Sequence, residues 1–254
     1  MRRPDELRAV LEDYLDGLQL SPDLGGLEEA VRYALAGGGK RVRPVLCLAT
    51  TEAAGGDPEQ ALPAAAALEL VHSFSLVHDD LPALDDDLER RGRPTAHAHF
   101  GEAQAILAGD ALLTEAFRLA VARPEVAGEL AGATLGMIAG QYLDINGGGR
   151  DRAELNRLKT GRLFEASVGC GLWTAGVPLE EQEPWREFAA DYGSLYQVVD
   201  DLLDDDGLVL ELGRERAAEL AGETTDRARA RLLEIPADTT VLLQLVDELA
   251  ARMR

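Results

Sequence analysis

Apolar residues recur every three to four positions along nearly the whole chain, and alternating runs of β-branched residues are scarce. That spacing predicts amphipathic helices rather than strands. Leu7, Val10, Leu11 and Leu15 form the first apolar stripe, and Gly25-Gly26 breaks the pattern after it. A short helix is predicted from about Leu27 to Ala36, closed by Gly37-Gly38-Gly39, since glycine accepts positive φ and disfavours helix. Pro44 suits the first turn of the next helix, which is expected to stop near Gly55-Gly56. A long Ala-rich helix follows from Pro58 to about Leu81, ended by Pro82, and then a polar loop from Asp85 to His99. Further helices are predicted over 101–122, 124–145, 151–175, 184–206, 214–234 and 238–252, punctuated by Pro124, Gly147-Gly148-Gly149, Pro178, Pro184 and Pro236. With no repeat and no linker, residues 1–254 read as a single all-α domain, a helical bundle of about ten or eleven helices.

Composition narrows the classes. A 254-residue chain that is 46% apolar has enough material for a core, which excludes disorder. No window reads as the ~20 nearly uncharged residues of a transmembrane span. The start, Met1-Arg2-Arg3-Pro4-Asp5-Glu6, lacks the apolar stretch of a signal peptide. Cys47 and Cys170 sit among small and apolar neighbours and read as reduced core residues of a cytoplasmic protein. With 25 Lys+Arg against 46 Asp+Glu, the net charge of −21 argues against nucleic acid. It is silent about small anions, because a local cation cluster or a divalent metal reverses the sign.

Two acidic clusters stand out. The first, His78-Asp79-Asp80-Leu81-Pro82-Ala83-Leu84-Asp85-Asp86-Asp87, closes the long apolar helix. A helix C-terminus is the unfavourable end for carboxylates. Local stability does not explain them, whereas a bridging hard cation does. Pro82 ends the helix and lets Asp85 turn back towards Asp79. The second cluster, Gln197-Val198-Val199-Asp200-Asp201-Leu202-Leu203-Asp204-Asp205-Asp206, puts Asp200 and Asp204 on one helical face. A calcium loop of EF-hand type fails on spacing.

Cations complement these clusters. Gly37-Gly38-Gly39-Lys40-Arg41-Val42-Arg43-Pro44 is a glycine turn running into a basic helix start, an anion site without nucleotide P-loop spacing. Arg90 and Arg91 follow the first cluster, and Lys159-Thr160-Gly161-Arg162 adds a third cationic point. His72 lies two turns before Asp79 on the same face; His78, His97 and His99 form no convincing zinc set.

The runs Gly38-Gly-Lys-Arg-Val-Arg-Pro44, His72-Ser-Phe-Ser-Leu-Val-His-Asp-Asp80-Leu-Pro-Ala-Leu-Asp85, Arg90-Arg91-Gly92, Gly140-Gln141-Tyr-Leu-Asp144, Lys159-Thr160-Gly161 and Gln197-Val-Val-Asp-Asp201-Leu-Leu-Asp204 together resemble the trans-isoprenyl diphosphate synthases (polyprenyl synthetases), in family order from about residue 25 to 206. The resemblance implies helices around a deep central cavity, a homodimer, and head-to-tail condensation of isopentenyl diphosphate with an allylic diphosphate. It implies magnesium, three ions in the closed complex, held by Asp79, Asp80, Asp85, Asp200, Asp201 and Asp204. Lys40, Arg43, His72 and Arg91 would bind isopentenyl diphosphate, while Arg90, Lys159, Thr160 and Gln197 would meet the allylic diphosphate and the reacting carbons. Catalysis would then centre on Asp79, Asp85, Asp200, Lys159, Thr160 and Gln197.

Chain length in this family follows the residues just before the first aspartate motif. Phe74 and Ser75 stand five and four positions before Asp79, which points to a short product, C15 rather than C20. The chain also departs from the pattern. No lysine follows Lys159, with Arg214 or Arg216 as substitute cations, and the stretch from Leu119 to Gly136 looks short. Two alternatives follow: a non-catalytic regulatory subunit of a hetero-oligomeric synthase, and a class I terpene cyclase, whose second metal motif this chain lacks.

Overall fold

A computed structural model describes residues 1–147 and 152–253. The Gly148-Gly149 part of the expected glycine break, and the expected helix start at residue 151, lie outside the described residues. Helices α1 (Pro4–Asp16), α2 (Glu28–Leu35), α3 (Val42–Ala53) and α4 (Leu62–Asp79) lead to a small hairpin, β1 (Glu89–Arg90) and β2 (Arg93–Pro94). Then come α5 (Ala96–Phe100), α6 (Glu102–Ala120), α7 (Pro124–Ile145), α8 (Arg152–Asn156), α9 (Arg162–Ala175), α10 (Glu183–Asp204), α11 (Leu208–Leu212), α12 (Arg214–Glu234) and α13 (Thr240–Ala251). The all-α architecture matches the hydrophobic spacing, and α7 and α12 start and stop where the pattern places them.

Three elements differ from expectation. The polar loop 85–99 contains the antiparallel hairpin, with Arg90 opposite Arg93, and the single turn α5. Helix 151–175 is interrupted by a π-helical turn, Arg157–Gly161. Helix α4 with its preceding turn, Pro58–Asp79, has a mean hydropathy of 1.2 over a membrane-length window, so one helix is long and apolar enough to cross a bilayer after all. Here it is the core helix: Ala64, Ala65, Ala66, Ala67, Leu68, Leu70 and Val71 are all buried, against α3, α6, α7 and α9. A helix that is apolar on every side is explained by neighbours on every side. Its alanines let those neighbours approach, and its C-terminal end carries the first acidic cluster, in which Asp80 is buried and Asp85 to Asp87 are exposed.

Candidate active site

At the end of α4, Pro82 lies in a tight turn, and the Asp85 backbone N–H donates to the Asp79 carbonyl at 2.9 Å. The chain thus folds back as the sequence suggested. Asp80 is buried and spoken for: Arg90 approaches its Oδ1 to 2.6 Å. At the end of α10, Asp201 is buried in a similar way. Its Oδ1 accepts from Gln197 Nε2 at 2.7 Å, and its Oδ2 accepts from the Leu208 N–H at 2.9 Å, which caps α11. Asp79, Asp85, Asp200 and Asp204 are different. Among the described residues none of their side chains has a hydrogen-bond or ion-pair partner.

Burial pushes the carboxyls of Asp79 and Asp200 up to about 6 each. Asp85 adds to the shift at Asp79 and Asp204 to that at Asp200. Lys159 and Arg90 oppose it at Asp79; Arg252, Lys40 and Arg43 oppose it at Asp200. Each cluster therefore has, among the described residues, a half-buried carboxylate without a partner, Asp79 or Asp200, and an exposed one, Asp85 or Asp204.

The cationic side is built by the loop before α3. Arg41 has a left-handed backbone, φ 48°, yet its side chain is buried. It donates to Glu69 at 2.5 Å, to Glu12 at 2.9 Å and to the Leu35 carbonyl at 2.9 Å. Those bonds hold a backbone conformation that a non-glycine residue rarely adopts. The flanking Lys40 and Arg43 line the same hollow as Arg41 and Glu69, without a carboxylate partner of their own among the described residues. The hairpin braces the same loop: Arg91 donates to the Gly38 carbonyl, and Arg93 to the Ala36 carbonyl at 2.8 Å.

Two cavities adjoin. An apolar one of about 420 Å³ is lined by Phe74, Ser75, Asp79, Gln141, Lys159 and Thr160 among others. A cationic one of about 360 Å³ is lined by Gly39, Lys40, Arg91 and Tyr196 among others. Arg43 and His72 line both. Burial, with Arg43 and Arg91 next in weight, holds the His72 imidazole well below its ordinary value, so it is neutral in this surround. Arg43 is depressed by the same burial, its guanidinium 4.4 Å from the Phe164 ring centroid, and its Nε is buried without a partner. A hollow that desolvates cations and leaves a donor unpaired suits an anion.

Residues 25–222 match the polyprenyl synthetase family. The chain belongs to that family of trans-prenyltransferases. It is 41% identical to the heterodimeric geranylgeranyl pyrophosphate synthase large subunit 1 of Arabidopsis thaliana, across 89% of this chain and 72% of that protein. It is 42% identical to the farnesyl diphosphate synthase of Geobacillus stearothermophilus, across 74% of this chain and 69% of that one. The geranyltransferase of Legionella pneumophila superposes with a TM-score of 0.86 at 29% identity, covering 98% of this chain and 94% of its own.

Within this polyprenyl synthetase frame, the structure gives the expected site residues their surroundings. Gln197 does not line the apolar cavity. Its amide is drawn to Asp201, and it borders a third hollow of about 300 Å³ with Gly161, Gly193 and Leu208. Arg214 is not a free substitute for a missing lysine, because it bonds the Leu202 carbonyl at 3.0 Å and pairs with Asp205. Arg216 pairs with Glu219 and Glu223. The structure also adds residues. Gln141 Oε1 is buried, unpartnered and on the cavity wall. Asp144 holds Lys159 Nζ at 2.6 Å. Gly140 makes room for the π-turn: a Cβ there would lie 2.6 Å from the Lys159 backbone nitrogen. The Gly140-Gln141-Asp144 spacing signalled all three. Nothing in the sequence signalled Arg252, whose charge reaches Lys40 and Asp200 from the far end of the chain.

Among the described residues no three His, Cys, Asp or Glu side chains converge to hold a metal by themselves. The donor chemistry nevertheless fits magnesium, which takes one or two carboxylates per ion and completes its shell with water and substrate phosphate.

Proposed function

We propose that this chain is a short-chain prenyl diphosphate synthase that condenses isopentenyl diphosphate head-to-tail with an allylic diphosphate. The C–O bond of the allylic substrate breaks and its electron pair leaves with diphosphate. The alkene of isopentenyl diphosphate attacks the resulting cation, and a proton is then lost, with the released diphosphate as its acceptor. Asp79, Asp85, Asp200 and Asp204 would hold magnesium, with Asp80 and Asp201 as close support. Bound there, magnesium neutralises the charge that develops on the leaving diphosphate.

The protein's own residues do the rest. Lys159 and Arg90 add positive charge beside Asp79, where the leaving group would sit. The Gln141 and Thr160 oxygens turn dipoles towards the cation's place, and the apolar wall keeps water from quenching it. Lys40, Arg43, His72 and Arg91 would hold the second diphosphate.

The observation carrying this reading is the shared wall: Arg43 and His72 join an apolar cavity ending at Asp79 to a cationic hollow. A terpene cyclase has one diphosphate to hold and no use for that second hollow. Purified protein with magnesium, isopentenyl diphosphate and C5, C10 or C15 allylic primers should release diphosphate and form prenyl products by mass spectrometry. Release of no diphosphate with any primer overturns the reading in favour of a regulatory subunit.

Phe74 lines the cavity at 8% exposure, which supports C15 as the main product. A C20 product is favoured by the relatives, several of which are named geranylgeranyl synthases; the same assay separates the two. A homodimer is part of the proposal, supported by exposed apolar residues on α6 and α7, including Leu107 and Leu135. The buried, unpaired Cys47 and Cys170 fit a reducing cytoplasmic compartment.

A further inference from the structure

The hairpin that carries Arg90 and Arg91 is too small to stand alone. Each strand has two residues, Glu89 opposite Pro94 and Arg90 opposite Arg93, and an isolated two-stranded hairpin is marginal in water. Its turn, Arg91-Gly92, runs at positive φ, 55° and 75°. Two-residue hairpin turns ask for that conformation, which only glycine takes without cost. The two cations therefore sit on a strained arm, and something must close its base.

A chain of hydrogen bonds closes it. The Thr95 N–H donates to the Leu88 carbonyl at 3.1 Å, and the Thr95 hydroxyl donates to the Asp87 carbonyl at 2.7 Å. Thr95 Oγ1 lies 3.0 Å from His97 Nδ1. A hydroxyl has one proton, and the Asp87 carbonyl takes it. The bond to His97 must then run from Nδ1–H to Oγ1, which assigns the Nδ1 proton from the network. Thr95 and His97 are 3% and 8% exposed, although Asp85 to Glu89 beside them are exposed. Asp87 is gripped twice, its carbonyl by Thr95 and its carboxylate by Arg90 at 3.3 Å.

His97 lines neither the apolar cavity nor the cationic hollow. Packing does not explain it either. Its Nε2 is buried without a partner, a cost that a leucine in the same place would not incur. The bond from Nδ1 to Thr95 is what accounts for an imidazole there. The residue that this chain anchors, Asp87, stands two positions after Asp85 and three before Arg90. The anchor thus falls between a carboxylate of the first acidic cluster and both cations of the arm.

We propose that His97 and Thr95 are positioning residues for prenyl transfer. The relay from Nδ1–H through Oγ1–H to the Asp87 carbonyl locks the base of the hairpin, and so sets where Asp85, Arg90 and Arg91 stand towards the diphosphates. This rests on the prenyl-transfer reading above. Neither residue touches substrate; each acts through the arm it closes.

Titration calorimetry of inorganic pyrophosphate with magnesium into the full chain, beside steady-state kinetics with both substrates, tests the relay. Thr95→Val keeps the branched shape and removes the hydroxyl. It should weaken pyrophosphate binding and raise KM for both substrates about tenfold, the scale of one lost internal hydrogen bond, with kcat moving less. His97→Leu should do the same. Thr95→Ser, and His97→Asn with its amide donor in place of Nδ1, should recover most of the loss. The double variant of Thr95→Val with His97→Leu should be no weaker than Thr95→Val alone, because both break one chain. Losses that multiply overturn the relay. A purely structural pair predicts lower melting temperatures with unchanged affinity and KM, and that result overturns the proposal. If His97→Leu folds poorly, Thr95→Val and its serine counterpart decide. If the wild type makes no product from any allylic primer, the prenyl-transfer reading fails and pyrophosphate binding judges the relay. A tenfold loss in Thr95→Val that Thr95→Ser restores then supports it, and equal affinity overturns it. No pyrophosphate binding by the wild type overturns it as well.

Discussion

Asp79 and Asp200 are the residues on which the proposed chemistry turns, and their surroundings make them testable without substrate. Each carboxyl is raised by burial from 3.8 to about 6. A raised acid binds its proton more tightly in the folded state than in the unfolded one. Its contribution to stability is therefore present below about pH 4 and lost as the pH rises to about 6. Melting of metal-free protein should show this as a fall in stability over that interval, flattened in the Asp79→Asn and Asp200→Asn pair. Magnesium with pyrophosphate should reverse the fall in the wild type only. In turnover, either single variant should lose about a hundred- to a thousandfold in kcat while far-UV circular dichroism keeps its helical amplitude.

Among the elements, the loop before α3 and the π-turn before α9 show how the site is aimed. Arg41 is held by Glu69 inside the protein, each side chain 5% exposed. Glu69→Ala strands a buried guanidinium and should cost about 3 kcal/mol in urea unfolding. It should also raise KM for isopentenyl diphosphate, because Lys40 and Arg43 lose their frame. The π-turn depends on Gly140. Gly140→Ala forces a methyl against the Lys159 backbone, so kcat should fall and Lys159 should move off Asp144, whereas the melting temperature should change by only a few degrees. These contacts explain why two short motifs, each weak alone, belong to one site.

For the whole molecule, the proposed synthase would take its product length from the apolar cavity. Phe74 meets the His78 ring edge-to-face at 4.9 Å, and His78 Nε2 lies 3.1 Å from the Ile106 carbonyl on α6. The Phe74 ring on the cavity wall is therefore held by α4 and, through His78, by α6. Phe74→Ala opens the wall and should shift the product profile to longer chains by mass spectrometry. An unchanged profile would place the length limit elsewhere, such as on α7.

Much of this was legible in advance, for reasons that differ by feature. Helical periodicity, Pro82 and the paired aspartates are local properties, so the all-α fold, the turn returning Asp85 to Asp79, and the acidic helix ends could be read along the chain. The hairpin in loop 85–99 was not readable, because two residues per strand carry no period. The partner of Gln197 was not readable either, because a helical face does not reveal which neighbour competes for its amide; Asp201 does so here, and Asp201 in turn caps α11.

The sequence alone determined which residues could carry charge, where helices stop, and that carboxylates and cations would be spent against local stability for a ligand. Tertiary structure decided which of them remain unpaired. Hydrogen bonds and ion pairs between residues far apart in the chain, Arg41 with Glu69 and Asp144 with Lys159, are set by packing. The same packing brings Arg252 from the last turn to Tyr196. Burial then sets the energy of what is left over, and burial belongs to the fold rather than to the order of residues.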